Sequence, residues 1–152
     1  RRPEGMTPEQ FCDFLVNELE EKILALGPEN VAAFIAEPIL GAGGVLVPPQ
    51  GYHVRTRELC RKYDMLYISD EVVTAFGRLG HWFASKDVFG IEPDIICLAK
   101  GIASGLPLGA IVAKADVMTW KPGSHASTRP ARWRCWSSSS SCCGARPRTP
   151  TR

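Results

Sequence analysis

At 152 residues the chain has the length of one domain, and 45% hydrophobic with 22% charged residues is the composition of a soluble globular fold able to bury a core. No apolar run reaches the roughly 18 residues a membrane helix needs, and Arg1 to Gln10 holds no apolar leader segment, so a membrane span is excluded and a cytoplasmic chain is expected. The net charge of +2 hides a split: residues 129–152 carry six arginines and no acid, so residues 1–128, with 12 bases against 16 acids, are net −4, and neither nucleic acid nor a membrane surface is an expected partner.

Thr7-Pro8-Glu9-Gln10 combines a capping hydroxyl, a proline at the first helical position and a glutamine three residues on, which predicts a helix start. Phe11, Phe14, Leu15, Leu19, Ile23 and Leu26 then recur at helical spacing until Gly27-Pro28. Val31 to Ala36 is a short continuous apolar run, the pattern of a strand covered on both faces, and it leaves through Glu37-Pro38 into Gly41-Ala42-Gly43-Gly44. A helix is predicted from about Tyr52 to Lys62, then a second strand over Met65 to Ser69 ending at Asp70-Glu71. Beyond the turn Gly77-Arg78-Leu79-Gly80 comes a short helix near Trp82 to Val88. Asp94 to Ala99 is a third strand ending at Lys100-Gly101, Gly109 to Ala113 a fourth, and a short helix starts at Asp116. Strands alternating with helices predict an α/β fold, a largely parallel sheet with helices on both faces. From Arg129 the chain changes character, with serine at each of positions 137–141, three prolines, two tryptophans and no periodicity. That tail is expected to be disordered or unnatural.

In an open α/β sheet, ligands sit outside the carboxyl ends of the strands. Three predicted strands end in ionisable residues, Glu37, Asp70 and Lys100, which places an amine and two carboxylates around one crevice. A strand-end lysine can form a Schiff base with a carbonyl, and a neighbouring aspartate can pair with a protonated ring nitrogen, the pair a pyridoxal-phosphate site needs. By spacing alone the same residues read more readily as a solvated lysine, a turn-capping aspartate and an extended Glu-Pro exit. The glycine run at 41–44 is not a dinucleotide loop, because Leu46 stands where the last glycine belongs and prolines follow in place of a helix. Ala99-Lys100-Gly101 lacks the glycine and hydroxyl flanks of a P-loop. Cys12, Cys60 and Cys97 are scattered, Cys135, Cys142 and Cys143 lie in the tail, and no Cys-x-x-Cys occurs, so no disulfide framework is expected. His53, His81 and His125 are too dispersed for a zinc site, and no metal is expected.

Four segments carry a family likeness. Ser69-Asp70-Glu71-Val72-Val73-Thr74-Ala75-Phe76-Gly77-Arg78-Leu79-Gly80 resembles the Asp-Glu-Val segment of class III, pyridoxal-phosphate-dependent aminotransferases. Glu92-Pro93-Asp94-Ile95-Ile96-Cys97-Leu98-Ala99-Lys100-Gly101, with Gly105-Leu106-Pro107-Leu108-Gly109-Ala110 behind it, resembles the family's lysine segment. Ala36-Glu37-Pro38-Ile39 and Pro122-Gly123-Ser124-His125-Ala126-Ser127-Thr128 fit two more, in family order, so that the resemblance covers residues 5–128.

The resemblance implies part of the large domain of a fold-type I transferase over residues 1–128, without the small domain. It implies a homodimer with the active site at the subunit interface, and pyridoxal 5'-phosphate as cofactor. Lys100 matches the Schiff-base lysine, Asp70 the acid at the pyridine nitrogen, and Val72 the apolar residue on the ring face. Thr128 matches the threonine that reaches the cofactor phosphate of the partner subunit, and Glu37 a glutamate near the substrate pocket. Implied substrates are an amino donor and a 2-oxo acid, exchanged by ping-pong turnover.

Val73 stands where the 4-aminobutyrate and ornithine branch carries a glutamine that donates to the ring 3-oxygen. That departure, with Gly80-His81-Trp82-Phe83, resembles the branch acting on ω-amino acids and amines with pyruvate, whereas residues 101–107 and 122–128 resemble the 4-aminobutyrate and ornithine branch, which uses 2-oxoglutarate. A same-family aminomutase or racemase and a catalytically dead dimerising fragment are the other readings. The family's phosphate-binding loop and substrate arginine have no counterpart here, so the chain is expected to be inactive alone. Where the family continues past Thr128 with an aromatic and Gly-Gly-Asn-Pro, this chain has Arg129-Pro130-Ala131-Arg132-Trp133, and residues 129–152 are expected to be read out of frame.

Overall fold

A computed structural model describes residues 2–118 and the backbone of Cys135–Ser137. Helix α1 (Pro8–Leu26) begins as a full capping box, Thr7 Oγ1 accepting from the Gln10 amide at 3.2 Å and Gln10 Oε1 from the Thr7 amide at 2.9 Å. Its buried stripe is Cys12, Val16, Leu19 and Ile23. Phe14, expected on that face, is 50% exposed, because it lies two positions from Cys12 and so about 200° round the helix.

Strand β1 (Ala33–Ala36) leads through the glycine turn to α2 (Tyr52–Lys62), β2 (Leu66–Asp70), α3 (Ala84–Asp87), β3 (Ile95–Leu98), β4 (Ala110–Ala113) and α4 (Ala115–Met118). All four predicted strands are present, each within two residues of its expected bounds. The short helix expected from Trp82 starts only at Ala84, because Trp82 and Phe83 are used in the turn before it.

The sheet order is β4-β3-β2-β1-β5, where β5 is Cys135–Ser137. β1, β2 and β3 run parallel, with Ala36 opposite Ser69 and Asp70 opposite Cys97, while β4 lies antiparallel to β3. β5 pairs parallel with β1 along Ala33 to Ile35, so three tail residues expected to lack regular structure form an edge strand; the rest of the tail lies outside the described residues. The α/β class is as expected.

One face of the sheet carries the core: Leu19 and Ile23 of α1, and Leu59 and Cys60 of α2, close on Phe34, Ala36 and Tyr67. On the other face Ile35, Ile68, Asp70, Ile95 and Cys97 are only half-buried. Among the described residues, α1 and α2 both lie on the covered face. Asp94, at the foot of β3, fastens three elements: Arg57 of α2 donates to both its oxygens at 2.7 Å, the Tyr67 amide of β2 donates at 2.8 Å, and Lys114 Nζ after β4 donates at 3.0 Å. Burial alone would raise the Asp94 carboxyl, but the bonds from Tyr67, Lys114 and Arg57 outweigh it and hold the group below its ordinary value. Among the described residues no helix is long and apolar enough to cross a membrane.

Candidate active site

The three parallel strands run the same way, so their carboxyl ends share one edge of the sheet. Glu37 follows β1, Asp70 closes β2, and Lys100 stands two residues past β3. Since Ala36 faces Ser69 and Asp70 faces Cys97, the three expected site residues sit on neighbouring strand ends.

Asp70 is half-buried, and its Oδ1 accepts from the Val72 amide at 3.1 Å, an Asx-type turn that stops the strand. Among the described residues its Oδ2 accepts no hydrogen bond. Strand alternation turns Ser69 and Glu71 to the covered face and Asp70 to the open one.

Lys100 begins a single 3-10 turn, Lys100–Ile102, with a left-handed backbone at φ 48°, and its side chain is exposed. Gly101 follows in close quarters: a Cβ there would lie 3.0 Å from the Phe76 Cβ and would have to push it back by a few tenths of an ångström. Phe76, itself left-handed at φ 58°, packs edge-on against Trp82 and Phe83, and the turn is closed by Phe76 N–H donating to the Trp82 carbonyl at 2.9 Å. Phe76 therefore lies beside Gly101, the residue after Lys100, so two non-glycine residues with left-handed backbone stand close to one another here.

Glu37 Oε2 accepts from the Gly41 amide at 2.9 Å, and a Cβ on Gly41 would lie 3.5 Å from both that oxygen and a Val73 methyl. Glu37 and Val73 therefore bracket the same glycine, one from β1 and one from the loop after β2. The exit of β1 is fixed from behind by His53, which is 4% exposed. Its Nε2 lies 2.9 Å from the Pro38 carbonyl and its Nδ1 2.8 Å from the Tyr67 hydroxyl. The carbonyl can only accept, so Nε2 carries the proton and the tyrosine donates to Nδ1. Burial lowers the His53 pKa, against a smaller upward pull from the Pro38 carbonyl, in keeping with the neutral ring.

Sequence reasoning named Glu37, Asp70, Val72, Val73 and Lys100 as candidates but passed over Glu71, Ser69, Ser85 and His53, all buried. The available signal was the acid pair itself, since strand alternation sends one of two adjacent acids inward. Thr128 lies outside the described residues. A cavity of about 260 Å³ beside Phe83, Ile91, Pro93 and Ile96 contains none of Glu37, Asp70 or Lys100. Among the described residues no group of three or more potential ligands could hold a metal ion.

An amine and a carboxylate thus stand on neighbouring strand ends of a mostly parallel sheet in an α/β chain. The chain belongs to the class III aminotransferase family, whose model matches residues 4–131. Over 114 residues it is 50% identical to the putrescine–pyruvate aminotransferase of Pseudomonas aeruginosa, covering 74% of this chain and 25% of that protein. Identity is also 50% to gamma-aminobutyrate transaminase 1, mitochondrial, of Oryza sativa subsp. japonica, covering 74% and 22%. Among solved structures, the omega transaminase of Pseudomonas jessenii in complex with PMP superposes with a TM-score of 0.73 at 50% identity, covering 77% of this chain and 26% of that one. The chain thus spans about a quarter of the length of the relatives it matches.

Proposed function

We propose that this chain supplies the strand-end part of the active site of a pyridoxal-phosphate-dependent transaminase, which moves an amino group from an ω-amino acid or amine to pyruvate. The observation that carries this reading is the placement of Lys100 and Asp70 on adjacent strand ends, with apolar Val72 and Val73 beside them. This donor set fits the cofactor: an exposed primary amine for its aldehyde, a carboxylate with a free oxygen for its ring nitrogen, and branched aliphatic side chains for its ring. When bound, pyridoxal phosphate supplies the aldehyde that takes up the amino group and the ring that accepts an electron pair from the substrate carbon.

Asp70 holds the proton on the ring nitrogen. The Lys100 amine would serve as the base and acid that moves a proton at the substrate carbon. Glu37, held by the Gly41 amide, faces the substrate side. In the complete protein, a homodimer, Thr128 reaches the phosphate bound by the partner subunit. Among the described residues no cysteine forms a disulfide, which suits a reducing cytoplasm.

Val73, which offers no donor to the ring oxygen, supports the amine and pyruvate assignment, as does the putrescine–pyruvate relative. A second reading, 4-aminobutyrate or ornithine with 2-oxoglutarate, is favoured by residues 101–107 and by relatives named as gamma-aminobutyrate transaminases. Borohydride reduction of the complete holoenzyme followed by peptide mapping tests the site. The label is expected on Lys100, and a label on another lysine refutes the assignment. Comparing acceptors separates the two substrate readings: pyruvate is expected to be preferred, and a strong preference for 2-oxoglutarate overturns the first reading in favour of the second.

A further inference from the structure

Glu71 is fully buried and makes no ion pair among the described residues, yet every polar atom it owns is engaged. Its Oε2 accepts from the Ala84 amide at 2.7 Å and from Thr74 Oγ1 at 3.1 Å. Its Oε1 accepts from the Ser85 amide at 2.8 Å and from the Ser85 hydroxyl. The backbone amide donates to the Cys97 carbonyl of β3 at 3.0 Å, and the backbone carbonyl accepts from Ala75 at 3.2 Å. Ser85 Oγ also stands 2.8 Å from Ser69 Oγ, so the residues on both sides of Asp70 are tied to the start of α3.

We propose that Glu71 is the positioning residue of this site, gathering Thr74, Ala84 and Ser85 on its carboxylate so that the segment Asp70 to Val73 is presented rigidly to the cofactor ring. The inference rests on the functional reading above and adds to it a residue that does not touch the cofactor. Among the described residues the Asp70 carboxylate accepts only from the Val72 amide, so its direction is set by its two locked neighbours. Glu71 also closes both ends of the loop spanning 72–83, whose Phe76 leans on Gly101 beside Lys100. One buried carboxylate thereby governs the aspartate directly and the lysine through the loop.

The charge state is essential to this role. Four donors converge on two oxygens, which an ionised carboxylate satisfies entirely. A glutamine would turn its own N–H groups towards a backbone amide and a hydroxyl on one side; the hydroxyl can rotate to accept, but the amide cannot, which leaves one donor facing another.

The test uses the complete enzyme with Glu71→Gln and, as a milder change that removes one hydroxyl donor and keeps the carboxylate, Thr74→Val. Hydrogen exchange at the Ala84 and Ser85 amides, measured without cofactor, is expected to rise about tenfold in Glu71→Gln. Turnover should fall by up to about 100-fold, the effect of a misplacement near 1 Å, with the KM for the amine changed by less than about threefold. The pH midpoint of the bound cofactor's absorption band should move, because Asp70 no longer meets the ring nitrogen squarely. Thr74→Val should show the same three changes at smaller size, and keeps the test decisive if Glu71→Gln does not fold. Faster exchange with an unmoved band and unaltered turnover, in either variant, would make Glu71 a purely structural cap and overturn the proposal. Unchanged exchange overturns it as well. Failure of the functional reading shows itself separately, as an unaltered enzyme that binds no pyridoxal phosphate.

Discussion

Replacing Asp94 with asparagine removes the charge from a carboxylate that accepts four hydrogen bonds at the foot of β3. Arg57 is 6% exposed, its two Nη atoms are spent on Asp94, and its Nε has no partner among the described residues, so Asp94→Asn strands a buried guanidinium. Breaking a buried pair from one side costs about 3–5 kcal/mol. The asparagine carbonyl can still accept from the Tyr67 amide, and Lys114, whose side chain is 43% exposed, adds little, so the lower part of that range, about 3 kcal/mol, is expected. Urea unfolding of the cofactor-free complete enzyme at pH 7 measures it. Arg57→Leu should also destabilise, and the double variant should be more stable than the summed single costs predict by about 2 kcal/mol, since the orphaned charge is then gone. The pH dependence has a definite sign. The Asp94 carboxyl titrates below its ordinary value in the folded chain, so as pH falls the unfolded chain takes the proton first. The stabilisation is complete above the ordinary aspartate range and is lost as pH falls through the folded value, and Asp94→Asn should flatten that acid limb. A cost under about 1 kcal/mol, or strict additivity of the two single changes, refutes the reasoning.

Asp70→Asn should remove several kcal/mol of transition-state stabilisation, seen mainly in kcat, because the ring nitrogen loses the charge that keeps it protonated; near-normal turnover would make Asp70 only a turn residue. His53 is held below its ordinary 6.5, so the folded chain resists the proton that the unfolded chain takes up. Thermal stability should therefore decline as pH drops below about 6.5, and less steeply in His53→Gln, as melting at pH 5 to 8 will show. For the tail, we propose that residues 129–152 are read out of frame. Sequencing the gene should find, in an alternative frame after the Thr128 codon, an aromatic followed by Gly-Gly-Asn-Pro; no such frame would refute the idea.

What could be read from the residues was periodicity and punctuation. Apolar runs gave the four strands of 1–118, although among the described residues only one face of the sheet is closely covered, and the Thr7 capping box marked its helix to the residue. Asp70 and Lys100 were legible because the end of a buried strand is where an ionisable side chain first escapes the core. Glu71 and His53 were not, since what distinguishes them is the set of groups that the fold brings to them from 13 to 15 positions away. The misplaced Phe14 has the same root: helical spacing offers several overlapping stripes, and only packing against Phe34 and Tyr67 selects the one that is buried.

The left-handed backbone at Lys100 sets folding and chemistry against each other. A side chain in that region costs on the order of 1 kcal/mol that glycine would not incur. Exchanging Lys100 for glycine would therefore make this stretch of chain easier to fold while deleting its only amine at the strand end. Random drift under pressure for stability alone runs towards losing the lysine. If Lys100 is the Schiff-base lysine proposed above, its presence in so unfavourable a conformation is what selection for a reactive group, maintained at the expense of the scaffold, would leave behind.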